Sequence, residues 1–477
     1  MKLFLSIVGA IMLLCCCSSS GSHIMHNSVL TEAAALKPRI VVMTDIGPAD
    51  VEPDDNESAV RLLSYADKFE IEGIITTIGW NCDPYPADWK VYLDRVIDAY
   101  EKDVTNLMRR SHQTEFMAAD EENKTQQLGY WPSASYLRGR AVYGSSKAGI
   151  SVIGENNNTP GSDLIIRLVD EEDERPIWFL AWGGANTLSQ AIWKVQQERT
   201  PEQLKKFLNK IRLYTITDQD MVWAMRMNRS YSSHMWLRRE FKDDLMLVWD
   251  ESAWLSQNDN GKNDWESYAS SIQGKGNMGQ VYPHYLWGVE GDTPSFLHVM
   301  PNGLNDPDDP AQVGWGGLHS FAVSPDGETY AWTNWMEPEK SISKEYEDLF
   351  YRDEFNDFAA RMAWADAGTG NTNPVVVING TYGLKPVEME VPAGRTVKID
   401  ASDSFDNEGD GLRFDWQFQK KPGYSGAYPS IKGANADRIR VGIPSDVSGE
   451  VFHLICTVHD DGDYNLPSYR RVIIRIK

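Results

Sequence analysis

Short apolar runs and longer amphipathic stretches alternate along most of the chain. Runs of β-branched and other apolar residues predict buried strands at 39–44, 71–78, 177–181, 211–216 and 245–249. Apolar residues recur at helical spacing at 56–66, 89–100 and 187–197. Strands that alternate with helices are typical of α/β proteins, so the pattern predicts a doubly wound, mostly parallel sheet.

The pattern changes after a segment rich in Gly, Asn and Thr at 367–374. Short alternating runs follow at 375–378, 396–399, 413–417, 451–458 and 471–476. Clusters of Asp, Asn, Gly and Ser separate them, and many short strands with such turns predict a β-sandwich. The sequence therefore predicts an α/β domain at 37–366 and a β-sandwich domain at 374–477.

The first residues predict export. A basic residue precedes an apolar run at 3–14, which is too short to span a bilayer but has the length of a signal-peptide core. Cys15, Cys16 and Cys17 follow, and then a Ser/Gly tether, an order that resembles a bacterial lipoprotein signal. We expect residues 1–22 to direct export to the periplasm or cell surface, with a lipid anchor as the membrane attachment. An ordinary cleaved signal peptide is the alternative.

The charge excludes two classes of partner. The 477 residues include 46 Lys and Arg against 69 Asp and Glu, a formal net charge of −23. A nucleic-acid binder needs a basic surface that displaces counterions from phosphates, so we expect no nucleic-acid partner. Electrostatic adhesion to anionic lipid is excluded for the same reason.

Acidic and amide residues follow four of the predicted strands. Seven of them are candidates for a functional site: Asp45, Asp54, Asp55, Asn81, Asn186, Asp218 and Asp220. Ligands bind at the carboxyl ends of parallel strands, so we expect these side chains to lie along one edge of the sheet. None of the turns has the glycine pattern of a phosphate-binding loop.

The three Asp residues around the first strand form a set of hard oxygen ligands. Carboxylates that are buried together repel one another unless a cation or a proton compensates their charge. Ca²⁺ binds oxygen ligands, whereas Zn²⁺ prefers His and Cys, so Ca²⁺ is the expected ion. The alternative is that Asp54 and Asp55 cap the helix that starts near residue 56. Asp218 and Asp220 could supply a second acid or base, or Asp218 could cap the segment that follows it.

Three segments together resemble the nucleoside hydrolase-like domain: VVMTDIGPADVEPDD at 41–55, EIEGIITTIGWN at 70–81 and WFLAWGGANTL at 178–188. The chain looks most similar to a bacterial secreted family described as cellulose-binding proteins. In that family the nucleoside hydrolase-like domain precedes an immunoglobulin-like domain. The resemblance covers nearly all of the mature chain and implies the same two folds here.

The resemblance implies roles for the acidic residues. Nucleoside hydrolases have an Asp-rich motif after the first strand that binds Ca²⁺ and sugar hydroxyls, and one of its Asp residues activates water. By position, Asp45 is the general base and a metal ligand. Asp55 is a second metal ligand, and Asp54 contacts sugar hydroxyls. Asp292 is the candidate for a late Asp that completes the metal site.

Two amides and two departures from the motif complete the comparison. Asn81 matches an Asn near the sugar, and Asn186 falls where a Thr gives its backbone carbonyl to the metal. Met43 occupies the place of the first Asp, and five extra residues within 48–53 lengthen the loop. The late His–Asp pair that assists the nucleobase to leave is not evident, which argues against nucleosides as substrates.

Together these observations predict a metal-dependent hydrolase of a glycosidic bond in a carbohydrate or glycoconjugate. Asp45 would activate water, and Asp54, Asn81, Asp218 and Asp220 would contact the substrate. The alternative is a non-catalytic carbohydrate- or cellulose-binding protein that uses the same edge. A nucleoside N-ribohydrolase ranks third.

Overall fold

The computed structural model describes residues 35–81, 84–220 and 231–477. The predicted export signal lies outside these residues. Within the described part, no helix is both long enough and apolar enough to cross a bilayer.

An eight-stranded sheet forms the centre of the first domain. Its strands are β1 (Arg39–Thr44), β2 (Glu70–Thr76), β3 (Ala141–Tyr143), β4 (Ile177–Ala181), β5 (Ile211–Ile216), β6 (Met246–Asp250), β7 (Ser320–Val323) and β8 (Tyr330–Thr333). Their spatial order is β3-β2-β1-β4-β5-β6-β8-β7, and β7 pairs with β8 as the one antiparallel pair within this sheet. The prediction of a mostly parallel sheet is confirmed.

Helices connect and cover the strands. In chain order they are α1 (Pro53–Ser64), α2 (Lys90–Arg110), α3 (Ala119–Glu122), α4 (Ala134–Arg140), α5 (Pro160–Asp170), α6 (Asn186–Glu198), α7 (Pro201–Leu208), α8 (Ser233–Glu240), α9 (Ala253–Asn263), α10 (Trp265–Ser271), α11 (Gly276–Val281), α12 (Thr293–His298) and α13 (Glu339–Ala367). Short 3₁₀ turns lie at Ala87–Trp89 and Ile150–Val152.

The sheet is buried on both faces. Ile40 and Val42 of β1 belong to one hydrophobic core together with residues of α1, α2 and α13. Val41 and Met43 belong to a second core together with residues of α5 and α6. A strand that is covered on both faces needs apolar residues at every position, which explains the continuous apolar runs in the sequence.

The second domain consists of two small sheets. Its strands are β9 (Val387–Val391), β10 (Thr396–Asp400), β11 (Leu412–Phe418), β12 (Ser430–Lys432), β13 (Arg438–Gly442), β14 (Val451–Asp460) and β15 (Pro467–Ile476). The sheet β10-β13-β12 and the sheet β11-β14-β15-β9 enclose one apolar core, and β15 and β9 are parallel. The predicted fold class, an α/β domain followed by a β-sandwich, is confirmed.

A buried arginine joins the two domains. Arg471 of β15 is fully buried and donates hydrogen bonds to the carbonyls of Leu304 (2.6 Å) and Val313 (2.9 Å) in the first domain. It also donates to the Gln419 side chain at 2.7 Å. Because a buried guanidinium needs acceptors for its donors, these bonds fix the sandwich against the α/β domain.

Candidate metal centre

Asp45 follows β1 at the carboxyl edge of the sheet and is 1% exposed. Two glycines provide the space for its carboxylate. A Cβ atom on Gly79, beyond β2, would lie 1.4 Å from Asp45 Oδ2, and one on Gly183, beyond β4, would lie 2.9 Å from Oδ1. Three neighbouring strand ends therefore enclose this carboxylate, as the strand-end pattern predicts.

Helix α1 brings two further carboxylates to the same edge. It begins at Pro53, three residues before the predicted start, so Asp54 and Asp55 lie in its first turn. The N-cap position is Glu52, so Asp54 and Asp55 are not the N-caps of a helix at residue 56, although both lie at the helix start as the capping alternative expected. Asp55 instead accepts a hydrogen bond from the Thr44 hydroxyl. The partial positive charge of a helix N-terminus favours acidic residues here.

Five carboxylates converge around Asp55. Oxygens of Asp45, Glu52 and Asp55 lie within 4.8 Å of one another, and so do oxygens of Asp54, Asp55 and Asp292. Asp55 belongs to both groups. Asp292 precedes α12, so this helix and α1 bring distant parts of the sequence together.

The donor set fits a hard divalent cation. Asp54 Oδ1 and Asp292 Oδ2 are buried without a hydrogen-bond partner among the described residues. Burial, followed by the charges of Asp55 and Asp54, raises the pKa of Asp292 well above its usual range. Burial and the charge of Asp54 raise the pKa of Asp55 to about 8. Crowded, buried carboxylate oxygens are the ligands that Ca²⁺ binds, and a bound cation would offset their mutual repulsion.

Glu52 is a member of this cluster that the sequence reasoning missed. It is 6% exposed, and its Oε1 accepts a hydrogen bond from Asn81 Nδ2 at 2.6 Å. The signal was its position three residues before Asp55, because residues three apart lie on one side of a helical turn. Asn81 is exposed at the margin of the site, as expected for a residue that contacts substrate.

The Asn186 side chain lies outside both carboxylate groups. Its Oδ1 accepts a hydrogen bond from the Thr77 hydroxyl at 3.1 Å, and its Nδ2 donates to the carbonyl of Lys147. Its backbone N–H donates to Asp220 Oδ1 at 3.1 Å. The predicted role of Asn186 concerns its backbone carbonyl, and that role stays a prediction.

Asp218 and Asp220 contact the starts of two helices rather than the carboxylate groups. Asp220 is fully buried, accepts from the Ser233 hydroxyl, and accepts from the backbone N–H of His234 in α8 at 2.9 Å. Asp218 accepts from the Ser232 hydroxyl at 2.8 Å. The predicted cap by Asp218 concerns the segment after it, most of which lies outside the described residues, so it stays a prediction, as does a direct contact of either residue with substrate.

An aromatic cluster adjoins the loop that follows Asp45. The Tyr85 hydroxyl donates to the carbonyl of Ile46 at 2.8 Å, and the Trp89 ring lies 2.8 Å from where a Cβ on Gly47 would be. Tyr85 and Trp89 meet edge to face, and Tyr231 packs against the same cluster. Trp89 and Tyr231 are half-buried, and aromatic rings beside a polar site offer an apolar surface to a sugar ring.

Both domains resemble domains of known protein families. Residues 39–319 match the family "Cellulose-binding Sde182, nucleoside hydrolase-like domain". Residues 396–476 match the family "Cellulose-binding protein Sde0182, C-terminal domain". No curated protein matched the chain.

One solved structure is similar to nearly the whole of this chain. A nucleoside hydrolase-related hypothetical protein from Saccharophagus degradans, described as associated with carbohydrate metabolism, is 32% identical. The alignment covers 92% of this chain and 100% of that one, with a TM-score of 0.77. The effector protein XOO4466 is 10% identical over 72% of this chain and 99% of its own, with a TM-score of 0.31. The PKD domain of the KIAA 1837 protein is 18% identical over 23% of this chain and 90% of its own, with a TM-score of 0.17.

Proposed function

The chain belongs to the family of cellulose-binding proteins that have a nucleoside hydrolase-like domain, and on this basis we propose that it is a Ca²⁺-dependent hydrolase of a glycosidic bond in a carbohydrate or glycoconjugate. The observation that carries the proposal is the group of buried carboxylates at the carboxyl edge of the sheet. Two of their oxygens, on Asp54 and Asp292, have no hydrogen-bond partner among the described residues.

The residues at this edge have complementary tasks in hydrolysis. Asp45, Asp55 and Asp292 would hold Ca²⁺, which supplies positive charge for sugar hydroxyls and for the developing charge on the attacking water. Asp45 would also accept the proton of that water as its oxygen bonds to the anomeric carbon, while the glycosidic bond breaks and the departing oxygen takes a proton from solvent. Asp54 would accept hydrogen bonds from the sugar hydroxyls, and Asn81 would donate hydrogen bonds to them. These bonds would orient the anomeric carbon toward the water.

The second candidate is a carbohydrate-binding protein without turnover. Two observations favour it. The descriptions of both matching families refer to cellulose binding. In addition, Asp218 and Asp220, the candidates for a second acid or base, are occupied by hydrogen bonds at helix starts. A binding protein would use the aromatic cluster and the same carboxylate edge to hold a sugar.

One experiment separates these candidates. The full chain is incubated with a panel of β-glucans, other glycans and nucleosides, in Ca²⁺ or in EGTA, and products and bound ligand are both measured. Asp45→Asn is compared with Asp50→Asn, because Asp50 is an exposed carboxylate of the same loop. The hydrolase proposal expects product release that EGTA and Asp45→Asn abolish and that Asp50→Asn leaves intact.

Other outcomes of that experiment contradict the hydrolase. Glycan retention without any product, in Ca²⁺ as well as in EGTA, would establish the binding protein instead. Base release from inosine or uridine would establish a nucleoside hydrolase.

Export with a lipid anchor is part of the proposal. It is supported by the apolar run at 3–14 and by the three consecutive cysteines after it. Metabolic labelling with palmitate in a bacterial host should mark the chain, and replacement of Cys15, Cys16 and Cys17 by Ser should remove the label. Secretion of an unlabelled chain would support the cleaved signal peptide.

A further inference from the structure

Glu52 lies between the strand that ends in Asp45 and the helix that contains Asp55. We propose that Glu52 is a direct ligand of the cation at this edge of the sheet, a role supplied by the lengthened loop. The inference rests on the metal centre in the proposed function, and it adds a ligand that neither the resemblance nor the matching families assign.

The position of Glu52 is that of a ligand. One of its carboxylate oxygens lies within 4.8 Å of oxygens of both Asp45 and Asp55. As the N-cap residue of α1 it makes no side-chain bond to the helix, so the helix does not consume its acceptors. Asn81 donates to Oε1 at 2.6 Å, which fixes the orientation of the carboxylate. A second residue that orients a metal ligand in this way is a regular feature of metal sites.

A second observation supports a bound cation at this cluster. Asp292 is 2% exposed, and its Oδ2 has no hydrogen-bond partner among the described residues. Asp55 belongs both to the group that contains Asp292 and to the group that contains Glu52, so the two groups adjoin each other. A buried anionic oxygen without a partner costs free energy that a bound cation removes.

The first strand explains why an extra ligand is useful. Residue 43 is a fully buried Met whose side chain belongs to the apolar core, so β1 delivers one carboxylate, Asp45, to the edge. The loop between β1 and α1 returns Glu52 to the same place. Affinity for Ca²⁺ depends on the number of charged ligands, and Glu52 adds one.

The alternative is that Glu52 only holds Asn81 in place. Glu52→Gln separates the two roles, because a Gln side chain still accepts the Asn81 hydrogen bond but has no charge. Removal of one of several crowded carboxylates also relieves repulsion in the metal-free protein. A ligand role therefore predicts weaker Ca²⁺ binding together with an unchanged or higher thermal midpoint in chelator.

The test is calorimetric titration of chelator-treated full-length protein with CaCl₂. We expect Glu52→Gln to bind Ca²⁺ roughly tenfold or more weakly than the wild type, as expected when a metal site loses an anionic ligand. Asp50→Asn removes a charge from the same loop outside the cluster, and it should bind as the wild type does. Glu52→Asp keeps the charge but shortens the side chain, so its affinity for Ca²⁺ should lie between those of the wild type and Glu52→Gln. This variant also tests the assignment if Glu52→Gln does not fold.

Equal affinity of Glu52→Gln and wild type would overturn the assignment of Glu52 and leave the metal centre intact. An equal loss in Asp50→Asn would also overturn it, because the effect would then be long-range charge. If the wild type itself binds no Ca²⁺, the metal-dependent function fails as well. The titration therefore distinguishes the two failures.

Discussion

Two regions of the α/β domain bury carboxylates in different ways. Behind α1, Arg361 pairs with Asp67 at 2.6 Å and with Asp357 at 3.1 Å, and all three side chains are buried. At the carboxyl edge of the sheet, the carboxylates of Asp55 and Asp292 are buried beside other carboxylates. We call the first region the arginine network and the second the carboxylate edge.

The difference shows in the pKa values. Burial alone would raise the pKa of Asp67, but the charges of Arg361 and Lys68 outweigh it and lower that pKa. At the carboxylate edge, burial and the charges of Asp54 and Asp55 together raise the pKa of Glu52 to about 9. In the arginine network a guanidinium pairs with the buried carboxylates, whereas among the described residues Asp54, Asp55 and Asp292 form no ion pair, so a proton or a cation must offset their charge. The comparison thus separates a structural cluster of charges from a candidate binding site.

The largest effect is expected from the arginine network. Arg361→Met removes the guanidinium that pairs with the buried Asp67 and Asp357, and loss of one member of a buried pair costs about 3–5 kcal/mol. The urea midpoint should fall accordingly, and Ca²⁺ should not restore it. Arg438→Met is the control, since that guanidinium is 64% exposed in its pair with Asp400. A similar midpoint for Arg361→Met and the wild type would contradict the view that this network is structural.

The carboxylate edge should respond to Ca²⁺ instead. An ion that binds only the folded chain adds about 2.7 kcal/mol at a free concentration about 100 times Kd. Thermal unfolding of the wild type should therefore shift upward in CaCl₂ and return in EGTA. Asp292→Asn should remove most of the shift, while NaCl at equal ionic strength should not produce it. If CaCl₂ does not shift the thermal unfolding of the wild type, the proposed distinction between the two regions is wrong.

Much of the fold was predictable because it depends on local pattern. The strands at 39–44, 177–181 and 211–216 were predicted to the residue, since burial on both faces makes their apolar runs continuous. The start of α1 was not, because Pro53, Asp54 and Asp55 carry no apolar periodicity even though Pro suits the first helical turn. The run at 375–378, predicted as a strand, forms only isolated bridges.

The candidate site was predictable where a strand end determines position. Asp45 follows β1 directly, so its place at the edge is given by the topology. Glu52 was missed because the predicted helix began at residue 56, so its position three residues before Asp55 was not recognised as part of a helical turn. The contacts of Asp220 with Asn186 and His234 could not be predicted from the sequence either, because they depend on how α6 and α8 pack.

The pH dependence should differ between the two regions. In chelator, the raised pKa values of Glu52 (about 9) and Asp55 (about 8) mean that the folded chain keeps protons that the unfolded chain releases from about pH 4 upward. The free energy of unfolding contributed by the edge therefore falls as pH rises toward 8 or 9. The lowered pKa of Asp67 acts in the opposite sense, since its contribution is lost as pH falls.

Thermal unfolding at a series of pH values, in EGTA and in saturating Ca²⁺, measures this contrast. Burial also raises the pKa of Glu354, to about 8, and this residue contributes to the pH dependence in both series. The contribution of the carboxylate edge is therefore read from the difference between the series in EGTA and the series in Ca²⁺. We expect Ca²⁺ to stabilise the chain more at about pH 8 than at about pH 5, because protons compete with the ion at low pH. A Ca²⁺ effect that is constant with pH would contradict the carboxylate ligands.

The smallest expected effect is that two matched substitutions change the free energy of unfolding in opposite directions. Asp54→Asn removes one like charge from the carboxylate edge, so in EGTA it should stabilise the chain by about 1 kcal/mol. Asp67→Asn removes the same charge from the arginine network, and there it should destabilise the chain because Arg361 loses one of its two carboxylate partners. Urea unfolding of both variants beside the wild type measures the two signs. In Ca²⁺ the advantage of Asp54→Asn should disappear, since relief of repulsion is then offset by weaker binding of the ion. Destabilisation by both substitutions in EGTA would mean that the edge is stable as built, and that its carboxylates do not await a cation.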